Sequence, residues 1–331
     1  MTPIHEGRIT DPSAWTSAGI GGKEGLMLRL GPDELEAIDA LVRRTEGRIP
    51  DSITREEAGE PILVDLMARV RDAIMHQRGA VVIAGLDMAC YDLPAFERLY
   101  WALGTHLGQG VEQSSQRDRI GYVEKAENNP TQRGYLLDTE LNPHTDFHEI
   151  LSLAAFRKAA EGGESGLVSS LAIHNEIRAL RPDLLEPLYE GFYHESAGGE
   201  LSPGEVPVYG CVDGLVSCYF HPRFIRSAAR IMGVEVPADL QAAIALMLEQ
   251  SRRPDIRADF MLEPGEMLFW HNFTALHSRR AFTDGPGQKR LLLRLWINVP
   301  DGRPLPEEFH TRARYMDRLH AAGQTAIDYA S

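Results

Sequence analysis

The sequence contains few cysteines and no long apolar run. Its three cysteines, Cys90, Cys211 and Cys218, form neither a Cys-x-x-Cys pair nor an even framework. This excludes a disulfide-stapled scaffold and indicates a reducing compartment such as the cytoplasm. No stretch approaches the ~18 consecutive apolar residues of a membrane-spanning helix. The N-terminus also lacks the apolar segment of an export signal. We therefore expect a cytoplasmic protein that does not span a membrane.

Basic residues are outnumbered by acidic ones. Lys and Arg total 34 and Asp and Glu total 48, which gives a formal net charge of −14. A surface of this sign repels the phosphates of nucleic acid and of anionic lipid. The composition thus disfavours nucleic acid and membrane partners and favours a small-molecule partner, and a homo-oligomer remains open. A basic pocket would stand out against this acidic background.

The sequence has no internal repeat and no regular alternation of strand and helix patterns. Helical periodicity appears near the N-terminus, between strands and near the C-terminus, and the strand-like runs are short. Asp213-Gly214 separates two such runs and is typical of a β-hairpin turn; another run predicts a strand over 166–173. The pattern predicts a mainly β fold with flanking helices. Its core would be a double-stranded β-helix, a cupin-like jelly roll wrapped by N-terminal, inserted and C-terminal helices.

A His-x-Asp motif, His144-Thr145-Asp146, lies in a polar turn ahead of the apolar run 150–156. Histidine nitrogen and carboxylate oxygen are two parts of the 2-His-1-carboxylate triad of non-heme Fe(II) oxygenases. The alternative without metal binding is a surface turn in which Asp146 acts as a cap. His144 and His148 also have the i, i+4 spacing of a zinc-binding helix, but His-Glu-x-x-His is absent and the flanking sequence argues against a helix.

A second histidine is available downstream. His277 lies in the apolar run 267–282, where an isolated histidine is most often a hydrogen-bonded core residue. His271 competes with it, but His271 is next to Asn272 at the end of a predicted strand and has a weaker apolar frame.

The next strand carries two arginines, Arg290 and Arg294, among apolar residues. Because side chains alternate along a strand, residues four positions apart face the same side. Buried guanidinium groups are costly unless each meets an anion, and arginine suits bidentate carboxylate binding. The alternative is an edge strand with solvated arginines.

In their order and spacing, His144-Thr-Asp146, His277 and Arg290 resemble the Fe(II)/2-oxoglutarate-dependent dioxygenases of the taurine dioxygenase (TauD/TfdA) and clavaminate synthase-like group. The resemblance extends from about Gly79 to Val299 and includes the segment Gly162-Gly-Glu-Ser165. It implies that His144, Asp146 and His277 hold Fe(II) and that Arg290 binds the distal carboxylate of 2-oxoglutarate.

The same resemblance assigns a supporting role to Ser165, where the group would have threonine. Arg294 matches a position that contacts co-substrate or substrate in relatives. The alternative is that Arg294 pairs with a carboxylate of the protein itself and has a structural role.

The cofactors implied by the resemblance are Fe(II), 2-oxoglutarate and O2. The implied reaction couples oxidative decarboxylation of 2-oxoglutarate to hydroxylation or desaturation of an unactivated C–H bond, which we expect to belong to a small organic acid or amino-acid-like molecule. A cupin-like binding or sensor protein without turnover is the alternative.

On this interpretation, residues 1–331 form a single catalytic domain. It has a mostly helical flank over 1–78, a jelly-roll core over 79–299 with a helical insertion over 222–254, and a C-terminal helix over 300–331. The polar loop 124–141 leads directly into His144, and long loops of this kind are often lids. We predict a lid there, with a poorly ordered insertion as the alternative.

Overall fold

A computed structural model describes residues 3–113, 118–126, 136–195 and 199–321. The α-helices within these ranges are α1 (Ser17–Ile20), α2 (Pro32–Arg44), α3 (Pro61–Met75), α4 (Leu93–Gly104), α5 (Ser170–Leu180), α6 (Leu185–Glu190), α7 (Pro222–Met232), α8 (Ala238–Gln250) and α9 (Thr311–Ala321).

The strands are short, as predicted. They are β1 (Met27–Arg29), β2 (Ala80–Ala84), β3 (Gln109–Gly110), β4 (Gly121–Val123), β5 (Leu141–His144), β6 (Ile150–Arg157), β7 (Glu161–Gly162), β8 (Ser165–Ser169), β9 (Tyr209–Val212), β10 (Leu215–Cys218), β11 (Ala258–Phe260), β12 (Met267–His271), β13 (Ala275–Arg279), β14 (Phe282–Thr283) and β15 (Leu291–Asn298).

Two sheets form the centre of the molecule. The major sheet has the order β1-β2-β12-β6-β15-β3, with β4 also paired to β15, and the minor sheet has the order β11-β8-β13-β5. All pairs are antiparallel except β1 with β2. The non-sequential strand order and the helices on the outer faces are the predicted jelly-roll arrangement.

Side-chain alternation divides the core into layers. On β12, Met267 and Phe269 pack outward against α2, α3 and α4, whereas Leu268 and Trp270 point inward between the sheets. On β15, Leu293 likewise faces the helices. A third cluster joins the outer face of the minor sheet to α5–α8 and to the β9–β10 hairpin. The strands are therefore buried on both faces, which explains their nearly continuous apolar sequences.

Helix termini follow from local sequence. Pro32 opens α2, and the Gly31 amide donates to the Glu34 carboxylate at 2.7 Å. Ser169 ends β8 and caps α5, because its hydroxyl accepts a hydrogen bond from the Ala172 amide at 3.0 Å. The predicted strand over 166–173 is therefore wrong beyond Ser169, because this serine, although it lies within an apolar run, caps a helix.

The predicted hairpin is confirmed. Asp213 and Gly214 both have positive φ, 52° and 79°, between the paired strands β9 and β10, as a two-residue turn of this type requires. The register places Cys211 opposite Val216. All three cysteines are free thiols.

Parts of two predictions lie outside the described residues: 127–135 of the predicted lid and 322–331 of the predicted C-terminal helix. The helical insertion contains α7 and α8. Among the helices of the described ranges, none combines the length and the apolar character needed to cross a bilayer.

Phe269 tests the packing of the major sheet against its helices. It is fully buried, with its ring centroid 6.2 Å from that of Tyr100 on α4. We expect Phe269→Ala to lower the free energy of unfolding by about 3–5 kcal/mol, because it leaves a cavity in a close-packed layer. The Ile49 side chain is 70% exposed, so Ile49→Ala should change it by less than about 0.5 kcal/mol. Denaturant titration of both variants measures the difference, and equal effects would contradict this layer assignment.

Candidate active site

The pairing of β5 with β13 brings the two motif histidines together. His144 at the end of β5 is the register partner of His277 on β13. Their ring centroids lie 4.2 Å apart. Both side chains reach the space between the sheets, where they line one cavity.

Asp146 follows two residues beyond the end of β5, in a segment without regular structure. The intervening Thr145 is fully buried and is held in both directions: its amide donates to the Phe220 carbonyl, and its hydroxyl accepts from the Phe220 amide, each at 2.9 Å. The chain therefore leaves β5 along a fixed path, and the Asp146 carboxylate returns towards the histidines.

The three side chains form a compact donor set. One ligand atom from each of His144, Asp146 and His277 lies within 4.8 Å of the other two, and His277 Nε2 is 3.8 Å from Asp146 Oδ2. His144 Nδ1 donates to the Asn142 carbonyl at 2.8 Å, which fixes the tautomer and leaves Nε2 as the lone-pair donor. Two imidazoles and one carboxylate with open space beside them fit a non-heme iron centre.

The electrostatics suit a divalent cation. Burial, together with the charges of His144 and Arg294, lowers the pKa of His277 to about 3. For Asp146, burial acts to raise the pKa, but His277, His144 and Arg294 outweigh it and the net shift is downward. His277 is therefore neutral and Asp146 ionised at neutral pH, which are the protonation states that metal coordination needs.

The cavity has a volume of ≈ 430 Å³ and is rich in arginine. Its aromatic walls include Trp270 and Trp296, and its described acidic residues are Glu140, Asp146 and Glu195. The arginines that line it are Arg223, Arg226, Arg279, Arg290, Arg294 and Arg312. This basic cavity contrasts with the rest of a protein whose net charge is −14.

Arg290 lies immediately before β15 and is 2% exposed. Its guanidinium donates to the Val123 carbonyl at 3.3 Å and lies 5.0 Å from the Phe282 ring centroid. Burial, and then the charge of Arg279, lowers the pKa of Arg290 to about 9. Gly163 has a φ of 81°, and a Cβ there would lie 3.3 Å from Arg290 Nε, so glycine allows this close approach. A bound anion would offset the positive charges that Arg290 and Arg279 bring into this buried site.

Arg279 was not anticipated from the sequence. It follows His277 by two residues on β13, faces the same cavity, and pairs in register with Ser165 on β8. Its Nη2 donates to the carbonyls of Leu137 at 2.7 Å and Thr139 at 2.6 Å. Its guanidinium lies 5.0 Å from the Phe282 ring centroid, so Phe282 contacts both arginines. Strand periodicity from His277 could have identified Arg279.

Ser165, the first residue of β8, is 5% exposed and lines the cavity.

Arg294 points into the cavity from β15. Its Nε donates to the Gln113 side-chain oxygen at 2.7 Å, and its guanidinium lies 4.5 Å from the Trp296 ring centroid. The predicted common face of Arg290 and Arg294 is thus observed.

The competing histidines lie elsewhere. His148 Nδ1 is 2.8 Å from the Asn298 side-chain oxygen, and residues 145–149 are not helical, so the zinc-helix spacing has no structural basis. His271 Nε2 is 3.1 Å from Glu149 Oε1. His271 shares the outward face of β12 with Phe269, which keeps it from the donor set.

The far wall of the cavity was also missed. His221 and Phe224, at the start of α7, stack with ring centroids 3.6 Å apart, and His221 contacts His144 edge-on at 5.3 Å. Burial, and then the charge of His144, lowers the pKa of His221 well below its usual value. Arg312 on α9 is 8% exposed and lies 3.8 Å from the Phe224 ring centroid. These residues come from segments with no motif of their own.

The sequence model of the family described as taurine catabolism dioxygenase TauD, TfdA family matches residues 57–296, a range that contains the whole donor set, Arg290 and Arg294. The chain belongs to this dioxygenase family. The family is one of dioxygenases, so the expected enzyme class and the expected cofactors Fe(II), 2-oxoglutarate and O2 are confirmed.

Two curated relatives illustrate the range of the family. The dioxygenase is 30% identical over 274 residues to FR-33289 synthase of Streptomyces rubellomurinus, covering 78% of this chain and 79% of the relative. It is 26% identical over 310 residues to the taurine hydroxylase-like protein SAT17 of Stachybotrys chartarum, covering 87% of this chain and 79% of that protein.

Solved structures share the fold. One is asparagine oxygenase in complex with Fe(II), 2S,3S-3-hydroxyasparagine and succinate, with a TM-score of 0.66, 14% identity and coverage of 82% of this chain and 93% of that one. Another is the non-heme iron oxygenase OrfP in complex with Fe and alpha-ketoglutaric acid, with a TM-score of 0.59, 18% identity and coverage of 82% and 94%.

Proposed function

We propose that this dioxygenase holds Fe(II) through His144, Asp146 and His277 and oxidises a C–H bond of a small organic acid or amino-acid-like substrate. The observation that carries the proposal is the convergence of three ligand atoms within 4.8 Å inside an arginine-rich cavity. When bound, the iron with 2-oxoglutarate and O2 supplies the oxidising power, and succinate and CO2 are released. Hydroxylation or desaturation is the expected outcome.

The co-substrate is assigned to the Arg290 end of the cavity. Arg290 would pair with the distal carboxylate of 2-oxoglutarate, and Ser165, the register partner of Arg279 on the minor sheet, would donate its hydroxyl to the same group. The burial of Arg290 and its proximity to the Arg279 charge support this, because two neighbouring cations favour an anion between or beside them.

The substrate is assigned to the rest of the cavity, towards α7 and α9. Arg223 and Arg226 on α7 and Arg312 on α9 line the cavity, and Arg294 enters it from β15. These positive charges favour a substrate with an acidic group. Oxygenases of the same fold bind a hydroxylated asparagine and a hydroxylated arginine, which supports a molecule of amino-acid size. The protein's task is to orient one C–H bond and to exclude water.

The setting of the enzyme is also a proposal. Three free thiols, one of them exposed, support a reducing cytoplasm. The net charge of −14 supports a role without nucleic acid or anionic membrane. The expectation of a homo-oligomer stays open.

The metal assignment predicts that Asp146→Ala will lose most Fe(II) binding and all substrate-coupled succinate formation, since two imidazoles alone hold the ion weakly. His271→Ala and His148→Ala serve as controls that remove histidines bonded to protein partners. Anaerobic Fe(II) titration should show that both controls still bind one equivalent of iron. Loss of iron from His271→Ala with retention in Asp146→Ala would contradict the assignment.

The co-substrate assignment predicts that Arg290→Ala will raise the 2-oxoglutarate requirement by roughly tenfold or more, because breaking a desolvated charged pair costs on the order of 2–5 kcal/mol. The control is Arg157→Ala. Arg157 is the exposed register partner of Leu291, so it removes an equal charge outside the cavity. The KM for 2-oxoglutarate measures both, and an unchanged value in Arg290→Ala would transfer the role to another arginine.

The substrate assignment predicts that Arg294→Leu will weaken substrate binding more than 2-oxoglutarate binding, because Arg294 would fix an acidic group of the substrate. Substrates are found by screening small acids and amino acids for stimulated succinate formation, with product masses measured. Equal turnover of a neutral substrate by the variant and the wild type would refute this role, as would an equal loss of 2-oxoglutarate affinity.

A further inference from the structure

Asn272 lies in the turn between β12 and β13 and is fully buried. Its side-chain oxygen accepts a hydrogen bond from the Asp146 amide at 2.9 Å, and its side-chain nitrogen donates to the Asp146 carbonyl, also at 2.9 Å. The amide group thus satisfies both backbone groups of one residue, as a neighbouring strand would. That residue is the carboxylate of the donor set.

The same turn also contacts Glu149, which lies three residues after Asp146. The Asn272 backbone amide donates to the Glu149 carbonyl at 2.8 Å, and the adjacent His271 contacts the Glu149 carboxylate at 3.1 Å. Residues 145, 146 and 149 each have a tertiary backbone partner, although none of them lies in a strand. The irregular segment after β5 is therefore held by hydrogen bonds to distant parts of the chain.

The position of Asn272 gives this contact a meaning beyond stability. Asn272 precedes His277 by five residues, and β13 carries His277 directly out of the turn. A shift of the turn therefore moves Asp146 and His277 together and preserves their separation. Partners that orient metal ligands in this way usually contribute 10–100-fold to metal affinity or activity.

We propose that Asn272 is a positioning residue that sets the Asp146 carboxylate relative to His277 for iron binding. This inference rests on the proposed function, since it requires Asp146 to be a metal ligand. Asn272 does not touch the reacting atoms; it acts through the Asp146 backbone. A merely structural asparagine would affect folding stability and leave the iron affinity of the folded protein unchanged.

The chain contains a matched control. Asn175 on α5 makes the same two-bond clamp on Ile9: its side-chain oxygen accepts from the Ile9 amide at 2.8 Å, and its nitrogen donates to the Ile9 carbonyl at 2.9 Å. Asn175 does not line the cavity. Asn175→Ala therefore removes an equivalent pair of hydrogen bonds at a place where no metal ligand depends on them.

The experiment compares wild type, Asn272→Ala and Asn175→Ala. Anaerobic titration with Fe(II) in the presence of 2-oxoglutarate, followed by the visible absorption of the complex, gives the iron affinity. Thermal unfolding of the metal-free proteins gives the stability. We expect both variants to unfold at lower temperature, and only Asn272→Ala to bind iron more weakly, by roughly 10–100-fold. Asn272→Ser, which retains one hydrogen-bonding group, covers the case in which Asn272→Ala does not fold and should show an intermediate loss.

A double variant tests the route of action. If Asn272 works through Asp146, then Asn272→Ala should add no further loss of iron affinity to Asp146→Ala, since interacting sites are not additive. Wild-type affinity in Asn272→Ala, an equal loss in Asn175→Ala, or full additivity in the double variant would each overturn the inference. Absence of iron binding by the wild type would instead overturn the proposed function.

Discussion

The antiparallel pairing of β5 with β13 is the interaction on which the site depends. It places His144 opposite His277, whereas more than 130 residues separate them along the chain. Every other part of the site is arranged around that pair. Asp146 follows His144 out of the strand, Arg279 follows His277 along it, and Ser165 faces Arg279 from the next strand of the same sheet. The opposite sheet supplies Arg294 and the aromatic walls.

Period-two alternation accounts for what could be predicted of this arrangement. It placed Arg290 and Arg294 on one face, and the observed cavity contains both. The same periodicity separates the two candidate histidines, because His271 shares the face of Met267 and Phe269, which pack against the helices. It also identifies Arg279, two residues after His277. The ligand-like residue types and their order thus carried most of the information about the donor set.

The residues that sequence reasoning missed lie outside the strands that form the site. Asn272 belongs to a turn, Gln113 to a loop, and His221 and Arg312 to the flanking helical segments. No periodicity relates such residues to the cavity, because their positions depend on how separate segments pack. The helix cap at Ser169 shows the same limit on a smaller scale: an apolar run continues through it, and only one hydroxyl hydrogen bond marks the change from strand to helix. The lid remains a prediction.

The separate origin of the cavity's two walls bears on how enzymes of this kind diversify. The donor set is built from the jelly roll, whereas Arg223, Phe224 and Arg226 belong to α7, which is anchored by Ile225, Ala228 and Ala229 to a different hydrophobic cluster. Side chains on the inner face of α7 can therefore be exchanged without disturbing the strands that carry His144 and His277. Natural or laboratory selection could alter the molecules that fit while the oxidising centre is inherited unchanged. The helical insertion is the part of the fold in which new substrate preferences can arise at the least structural cost.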